Sequence, residues 1–383
     1  MNKHNTKLGQ LLSLIERPQF ERCVKATHAD KYCKGFSAWQ QFVTMIYAQI
    51  VNPHGLRSLE HSLNSNPTYL YHLGISKEVK RSTISYANNT RSPEVFEKLF
   101  YSLSSTLNRN ERKKFRKEFY GIDATELSLN LHDFPWATFR STMSGVKIHL
   151  KYDINNSLPE YLFITNVNEH ENNTLKKMNL SKGCTVAFDK GYCNYVVFGD
   201  FCRDKIFFVT RLKENAKYRV VEEHKTKNKL ITLDQTIEFS GVQTGKKCPF
   251  PLRIIKSVDE KTGNKITILT NIFNLTAEYV AKMYRARWNI EIFFKTIKQN
   301  LRIKKFFGET ENAVKTQIWI ALIVYLLFMK LRKLCTRPGK NFTDFISELK
   351  VCIFERKDLF EWFVGNQSPT LWQSNVFQQE LGL

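Results

Sequence analysis

Residues 184–211 read CTVAFDKGYCNYVVFGDFCRDKIFFVTR. CTVAF (184–188) is an apolar run of strand length, YCNYVVFGDFC (192–202) reads as a helix, and IFFVT (206–210) is a strand again. On the N-terminal side lie three more strands. EFYGID (118–123) comes first. In VKIHLKYDI (146–154), Val146, Ile148, Leu150, Tyr152 and Ile154 alternate with Lys147, His149, Lys151 and Asp153, a period of two. YLFITNV (161–167) would pair back through an Asn155-Asn156 turn, and a short polar helix is expected around 171–179. Three strands followed by alternating helix and strand imply a mixed sheet with helices packed on it, an α/β (α+β) fold.

Beyond Arg211 the texture changes. YRVVEE, LITLDQTIEF, PLRIIKSV and KITILTNIF are short β segments separated by Gly, Pro and Lys turns, so 212–274 reads as a β-rich insertion. From Thr276, a plausible N-cap, one long helix is expected to run to about Leu301, with further helices to the C-terminus. Residues 1–110 are helical by spacing, in LGQLLSLI, WQQFVTMIYAQIV, LRSLEHSLN and PEVFEKLFYSLSSTLN. LGISKEVKRSTISYANNTR (73–91) reads as a turn and a short helix capped by Ser82 or Thr83. It would offer Ser85, Asn88, Asn89 and Arg91 as polar readers of a helix-turn-helix-like module. A basic run, RNERKKFRKE (109–118), follows. The expected division is 1–110, a helical region carrying the DNA-binding module; 111–211 with 275–335, the α/β core; 212–274, the β-rich insertion; and 336–383, a helical C-terminal region.

The chain carries 58 Lys and Arg against 36 Asp and Glu, a net charge of +22. An excess of this size repels itself in a compact state, and a polyanion partner relieves it. Nucleic acid is the leading candidate. The eight cysteines form no Cys-x-x-Cys pair, which argues against a zinc site. Residues 1–10, MNKHNTKLGQ, hold no apolar signal region, so reduced thiols in a cytoplasm are expected. The longest apolar run, Ile318 to Met329, is too short for a bilayer and suits a buried core helix; no membrane partner is expected.

Asp123 follows the apolar strand EFYGI, and Asp189 follows CTVAF with Gly191 permitting a sharp exit. Each alone is more often a turn or cap residue. If the two strands are neighbours, both carboxyls open on one rim. In YRARWNIEIFFKTIKQNL (284–301), Tyr284, Arg287, Glu291 and Lys298 lie at about +60°, 0°, +40° and +20° around a helix, with Ile290, Phe294, Ile297 and Leu301 on an apolar stripe beside them. An acid between two bases at a core edge suits a metal ligand beside phosphate clamps. Phosphoryl transfer on DNA needs little else: converging hard oxygen donors for divalent ions, and cations for the backbone.

Tyr284, two residues, Arg287, three residues, Glu291, six residues, Lys298 resembles the signature of bacterial insertion-sequence transposases of the IS-four family. Gly121-Ile122-Asp123-Ala124-Thr125 resembles the context of that family's first catalytic Asp. Asp189-Lys190-Gly191-Tyr192, with Val209-Thr210-Arg211 after it, resembles the context of the second. The resemblance implies a ribonuclease-H-like core interrupted by a β insertion and a DDE transposase that cuts and pastes DNA. Its sites would be Asp123, Asp189 and Glu291, holding two Mg²⁺ or Mn²⁺. Tyr284, Arg287 and Lys298 would bind phosphate, with Arg211 and Arg91 as further DNA contacts. Trp288 would stack on a flipped base during hairpin formation. The implied partners are double-stranded DNA, as inverted-repeat ends and target, and a second copy of the chain. Two alternatives stay open: a catalytically inactive, repressor-like derivative, and a two-carboxylate glycosidase, which the charge disfavours.

Overall fold

The phenylalanines, 29 in number, explain much of the packing. In the computed structural model, Phe188, Phe198, Phe201 and Phe208 form one buried cluster, with the rings of Phe198 and Phe208 stacked at 4.7 Å. The structure describes residues 5–108, 118–140, 143–167, 174–226, 228–258 and 263–365. Of the expected basic run, residues 109–117 lie outside these, as do residues 171–173 of the expected polar helix.

The chain forms two compact units. One comprises Met1–Arg109, Leu127–Gly145 and Phe294–Leu383; the other comprises Asn110–Glu126 and Val146–Phe293.

The first unit is mainly helical: α1 (Lys7–Leu12), α2 (Arg17–Thr27), α3 (Ala38–Val51), α4 (Leu56–Asn64), α5 (Pro67–Tyr71), α6 (Arg81–Thr90) and α7 (Glu94–Asn108). Its central element is a helix from the far end of the chain, Glu311–Leu334. Thr310 caps it by accepting from Ala313 N at 3.2 Å, and Arg332 and Lys333 face the negative end of its dipole. It is long and apolar enough to cross a membrane, yet 83% of its apolar window is buried, against α3, α6 and α7 among others. The expected core-helix role is met by that burial. α3 begins in a capping box, with Ser37 and Gln40 satisfying each other's backbone N–H groups. Lys7 is fully buried and meets Glu355 at 2.7 Å, and the Gln10 amide donates to Lys357 O at 2.8 Å, so the unit is closed by residues hundreds of positions apart.

The strands are β1 (Phe119–Leu129), β2 (Thr138–Arg140), β3 (Met143–Asp153), β4 (Leu158–Asn166), β5 (Thr185–Phe188), β6 (Phe207–Arg211), β7 (Tyr218–Glu223), β8 (Ile231–Phe239), β9 (Leu252–Val258) and β10 (Lys265–Thr270). They form one sheet in the order β2-β3-β1-β5-β6-β10-β9-β8-β7, with β4 also on β3. β3 and β4 are the expected antiparallel pair, joined through Asn155-Asn156, and β1, β5 and β6 are parallel neighbours. The order β4-β3-β1-β5-β6 is that of a ribonuclease-H-like sheet, with a helix, α8 (Tyr195–Arg203), crossing from β5 to β6. β5 is buried along its whole length, as a parallel strand covered on both faces must be. The insertion is β-rich as read. Its last strand, β10, pairs antiparallel with β6, so it continues the sheet rather than standing apart.

Four details go beyond the sequence reading or differ from it. β1 does not stop at Asp123 but runs on to Leu129, where Thr125 and Leu127 alternate inward with exposed Glu126 and Ser128. The polar side of β3 is not solvated: Lys147, His149 and Lys151 are 8%, 0% and 5% exposed. His149 stacks on Phe163, and the Lys151 ammonium bonds Asn179 O and Glu160. α6 starts after Lys80, with no side-chain cap from Ser82 or Thr83. The long helix from Thr276 is broken once, at Arg287, into Ala277–Ala286 and Trp288–Asn300. Numbering on through Val242–Lys247 as α9, these two are α10 and α11.

Candidate active site

The rim above β1 and β5 is set by their register. Parallel pairing runs from Phe119 opposite Thr185 to Ile122 opposite Phe188, and each strand's next residue is an aspartate. Asp123 and Asp189 therefore follow neighbouring paired residues where the β1–β5 pairing ends, Asp189 at the carboxyl end of β5 and Asp123 midway along the longer β1, on the side where open α/β sheets expose their functional groups. Asp189 occupies the N-cap position of a short turn, Lys190–Tyr192, but its side chain caps nothing. The ordinary reason for an Asp at that position is thus missing. The Asp123 carboxylate accepts from its neighbour Ala124 N at 2.8 Å.

The third carboxyl comes from α11. Gly121, two residues before Asp123, leaves room for it: a Cβ there would already touch Ile154 at 3.4 Å and Ile290 at 3.7 Å. A longer side chain would push away the helix turn that holds Glu291. Gly in a strand interior is the sequence signal for such an approach, and this role was not singled out from the sequence.

Arg287 ties the pieces together. Its guanidinium, 6% exposed, donates to Glu291 Oε1 at 2.6 Å and reaches Asp123 Oδ2 at 3.5 Å. One planar fork spans both carboxylates, which caps their separation at roughly 8 Å. The Tyr284 hydroxyl donates to Asp189 Oδ1 at 3.5 Å. Over the Tyr284 ring sit two guanidinium groups, Arg211 at 5.5 Å and Arg287 at 5.7 Å. Burial pushes the Tyr284 phenol above its ordinary range, although Arg287 and Arg211 pull it down, so it stays a donor. Burial alone would lower Arg287, but Tyr284, Glu291 and Asp123 outweigh it and hold the guanidinium firmly charged.

Asp123, Asp189, Glu291, Tyr284, Arg287 and Arg211 are thus linked by contact within the second unit. Trp288, next to Arg287, is 58% exposed. Lys298 lies in the last turn of α11, in the part of that helix that counts with the first unit. Arg91 does not join the cluster. Its side chain is 8% exposed and bonds Ala29 O, Gln41, Asp30 and Phe36 O within the helical unit, so it holds an interhelical corner together. Asn88 is likewise interior, bonded to Gln41 at 2.7 Å, whereas Ser82 and Asn89 of α6 face outward.

The donor set suits a divalent cation: three carboxylates, hard oxygen ligands, with Asp123 20% and Glu291 33% exposed at the side chain. Among the described residues, no three acidic, His or Cys groups already converge as a formed metal cage. The Arg287 guanidinium stands between two of the three.

Residues 115–327 match the family described as the transposase DDE domain, and residues 3–76 match a domain of unknown function, DUF4372. A putative transposase, y4zB, of Sinorhizobium fredii is 34% identical over 71% of this chain and 77% of its own. A probable transposase for the insertion sequence element IS5377 of Geobacillus stearothermophilus is 26% identical over 98% of this chain and 95% of its own. A piggyBac transposase, solved in a synaptic complex with hairpin DNA, aligns with a TM-score of 0.49 and 10% identity over 99% of this chain and 85% of that one. With more than half of its length inside the DDE domain and its relatives named as transposases, this chain belongs to the DDE transposases, metal-dependent enzymes that cut and rejoin DNA.

Proposed function

We propose that Asp123, Asp189 and Glu291 are the catalytic carboxylates of a cut-and-paste transposase of the IS-four type, and that together they hold two Mg²⁺ or Mn²⁺ ions. The observation that carries the reading is the β1/β5 register ending one residue before each aspartate, with Glu291 bound to Asp123 through Arg287. Bound there, the ions would supply activation of the attacking oxygen and stabilisation of the leaving one. The chain's own groups do the rest. Tyr284 fixes the Asp189 carboxylate, while Arg287, Lys298 and Arg211 grip DNA phosphates. Trp288, with its ring in solvent, stacks on a base turned out of the duplex.

In this scheme water cleaves one strand at the element's end and frees a 3′-OH. That hydroxyl attacks the opposite strand to give a hairpin, which is reopened, and the 3′-OH then joins target DNA. The substrates are terminal inverted repeats and target duplex, bound by a homodimer in the bacterial cytoplasm. The helical region 1–110 contributes DNA contacts. The core is 111–211 with 275–335, around the 212–274 insertion, and 336–383 is the C-terminal region, helical in its described part, with 366–383 outside the described residues.

The test is direct. Asp123→Asn, Asp189→Asn and Glu291→Gln should each bind duplex carrying the element's ends yet fail to nick it in Mg²⁺. A variant that still nicks at the wild-type rate removes its residue from the site, and nicking by none of the four proteins leaves the inactive-derivative reading.

A further inference from the structure

Arg287 is held where a cation is needed. Two carboxylates, Asp123 and Glu291, converge on it, and like charges so close repel unless something positive lies between them. A divalent ion held by the same two carboxylates would meet the guanidinium as a like charge. The two cations therefore compete for one place. Arg287 is also incompletely satisfied: its Nε is buried and has no hydrogen-bond partner, so donor capacity remains after both carboxylates are served. Residue 287 is the turn position between α10 (Ala277–Ala286) and α11 (Trp288–Asn300) and keeps helical backbone angles, φ −55° and ψ −31°, so the guanidinium can change partners by side-chain rotation alone.

We propose that Arg287 is an internal stand-in for the metal: it occupies the Asp123–Glu291 gap until a divalent cation displaces it, and the released guanidinium then takes a DNA phosphate. The inference rests on the carboxylate assignment above and adds an exchange to it. Its consequence is linkage. DNA that captures the guanidinium clears the metal site, and metal that expels the guanidinium frees it for DNA. Each ligand therefore raises the other's affinity by the same factor. Metal loading is thereby tied to the presence of a DNA backbone, and the carboxylates stay neutralised when none is there.

Calorimetric titration of Mn²⁺ into the full chain tests this, with and without a short duplex, on wild type, R287Q, R287K and D123N. Without DNA, R287Q should bind Mn²⁺ about tenfold more tightly than wild type, within the usual span of coupling between sites. R287K should fall between, because a single ammonium cannot bridge both carboxylates. The duplex should tighten Mn²⁺ binding about tenfold for wild type and hardly at all for R287Q. R287K carries the test alone if circular dichroism shows R287Q unfolded. Mn²⁺ binding no tighter in either Arg287 variant, with D123N abolishing it, overturns the exchange and leaves the carboxylate site intact. Mn²⁺ binding unchanged by D123N overturns both.

Discussion

Replacing Arg253 with Met should destabilise the unit that carries the carboxylates more than any single surface change. Arg253 on β9 and Asp234 on β8 form a bidentate pair at 2.7 and 2.6 Å, with side chains only 8% and 5% exposed. The same guanidinium also donates to Ile272 O at 3.3 Å and Leu275 O at 2.6 Å, the carbonyls just before the Thr276 cap of α10. The insertion therefore seats the start of the helix pair that presents Tyr284, Arg287 and Glu291. Removing Arg253 strands a buried carboxylate and two carbonyls, a loss of about 3–5 kcal/mol. Asp234→Asn keeps one acceptor and the carbonyl bonds, so its cost should be smaller, about 1.5–3 kcal/mol. The double variant Asp234→Leu, Arg253→Met leaves no charge unpaired and should recover most of the difference. Thermal unfolding followed by circular dichroism reads the effect as roughly 2–4 °C per kcal/mol for a unit of this size. If R253M unfolds within 2 °C of wild type, or if the double variant is worse than both singles combined, the clamp argument is refuted.

Three further outcomes follow from the packing. A fragment ending at residue 110 should stay unfolded by circular dichroism and proteolysis, because α3, α6 and α7 pack on Glu311–Leu334, which the fragment lacks; a cooperative melt would contradict this. Gly199→Ala should destabilise by about 1–3 kcal/mol despite its better helix propensity. Its Cβ would lie 2.5 Å from Lys247 O, and a neutral urea midpoint would show that the backbone yields. Burial raises the Asp153 carboxyl above the ordinary aspartate range although Asn156 and Asn155 donate to it. The folded state then holds a proton that the unfolded state has lost. Wild type should gain stability relative to Asp153→Asn as pH falls through the raised value towards the unfolded one; urea midpoints that move in parallel between pH 7 and pH 4 would refute it.

Much of the site could be read from residue spacing because it is made of short-range patterns. The strand–helix–strand run 184–211 and the period of two in β3 are local facts, and so is the Arg287–Glu291 spacing that places an ion pair on one helix face. What stayed hidden depends on partners far along the chain. Arg91 looks like a surface reader at the end of the 73–91 segment, and partners from 29–41, the carbonyls of Ala29 and Phe36 with Asp30 and Gln41, make it interior. Lys147 and Lys151 alternate as solvent-facing residues should, yet Glu126, Glu160 and Asn179 cover them. The continuation of β1 past Asp123 was legible in Thr125 and Leu127 but is overshadowed by the acidic residues beside them. The break at Arg287 has no Gly or Pro to announce it, and the helix pair is interrupted where the guanidinium turns towards Asp123.

The clasp between α1 and the C-terminal helices sets a timetable for synthesis. Lys7 and Glu355 are 348 residues apart, so at ~5–20 residues per second the ammonium waits roughly 20–70 s on the ribosome for its counter-ion. Until Glu311–Leu334 has emerged, α3 and α7 can bury against α2 and against each other, through Phe20, Phe42 and Phe96, but lack the late-made helix on which both also pack. The helices translated first therefore complete their burial last, when residues made hundreds of positions later arrive.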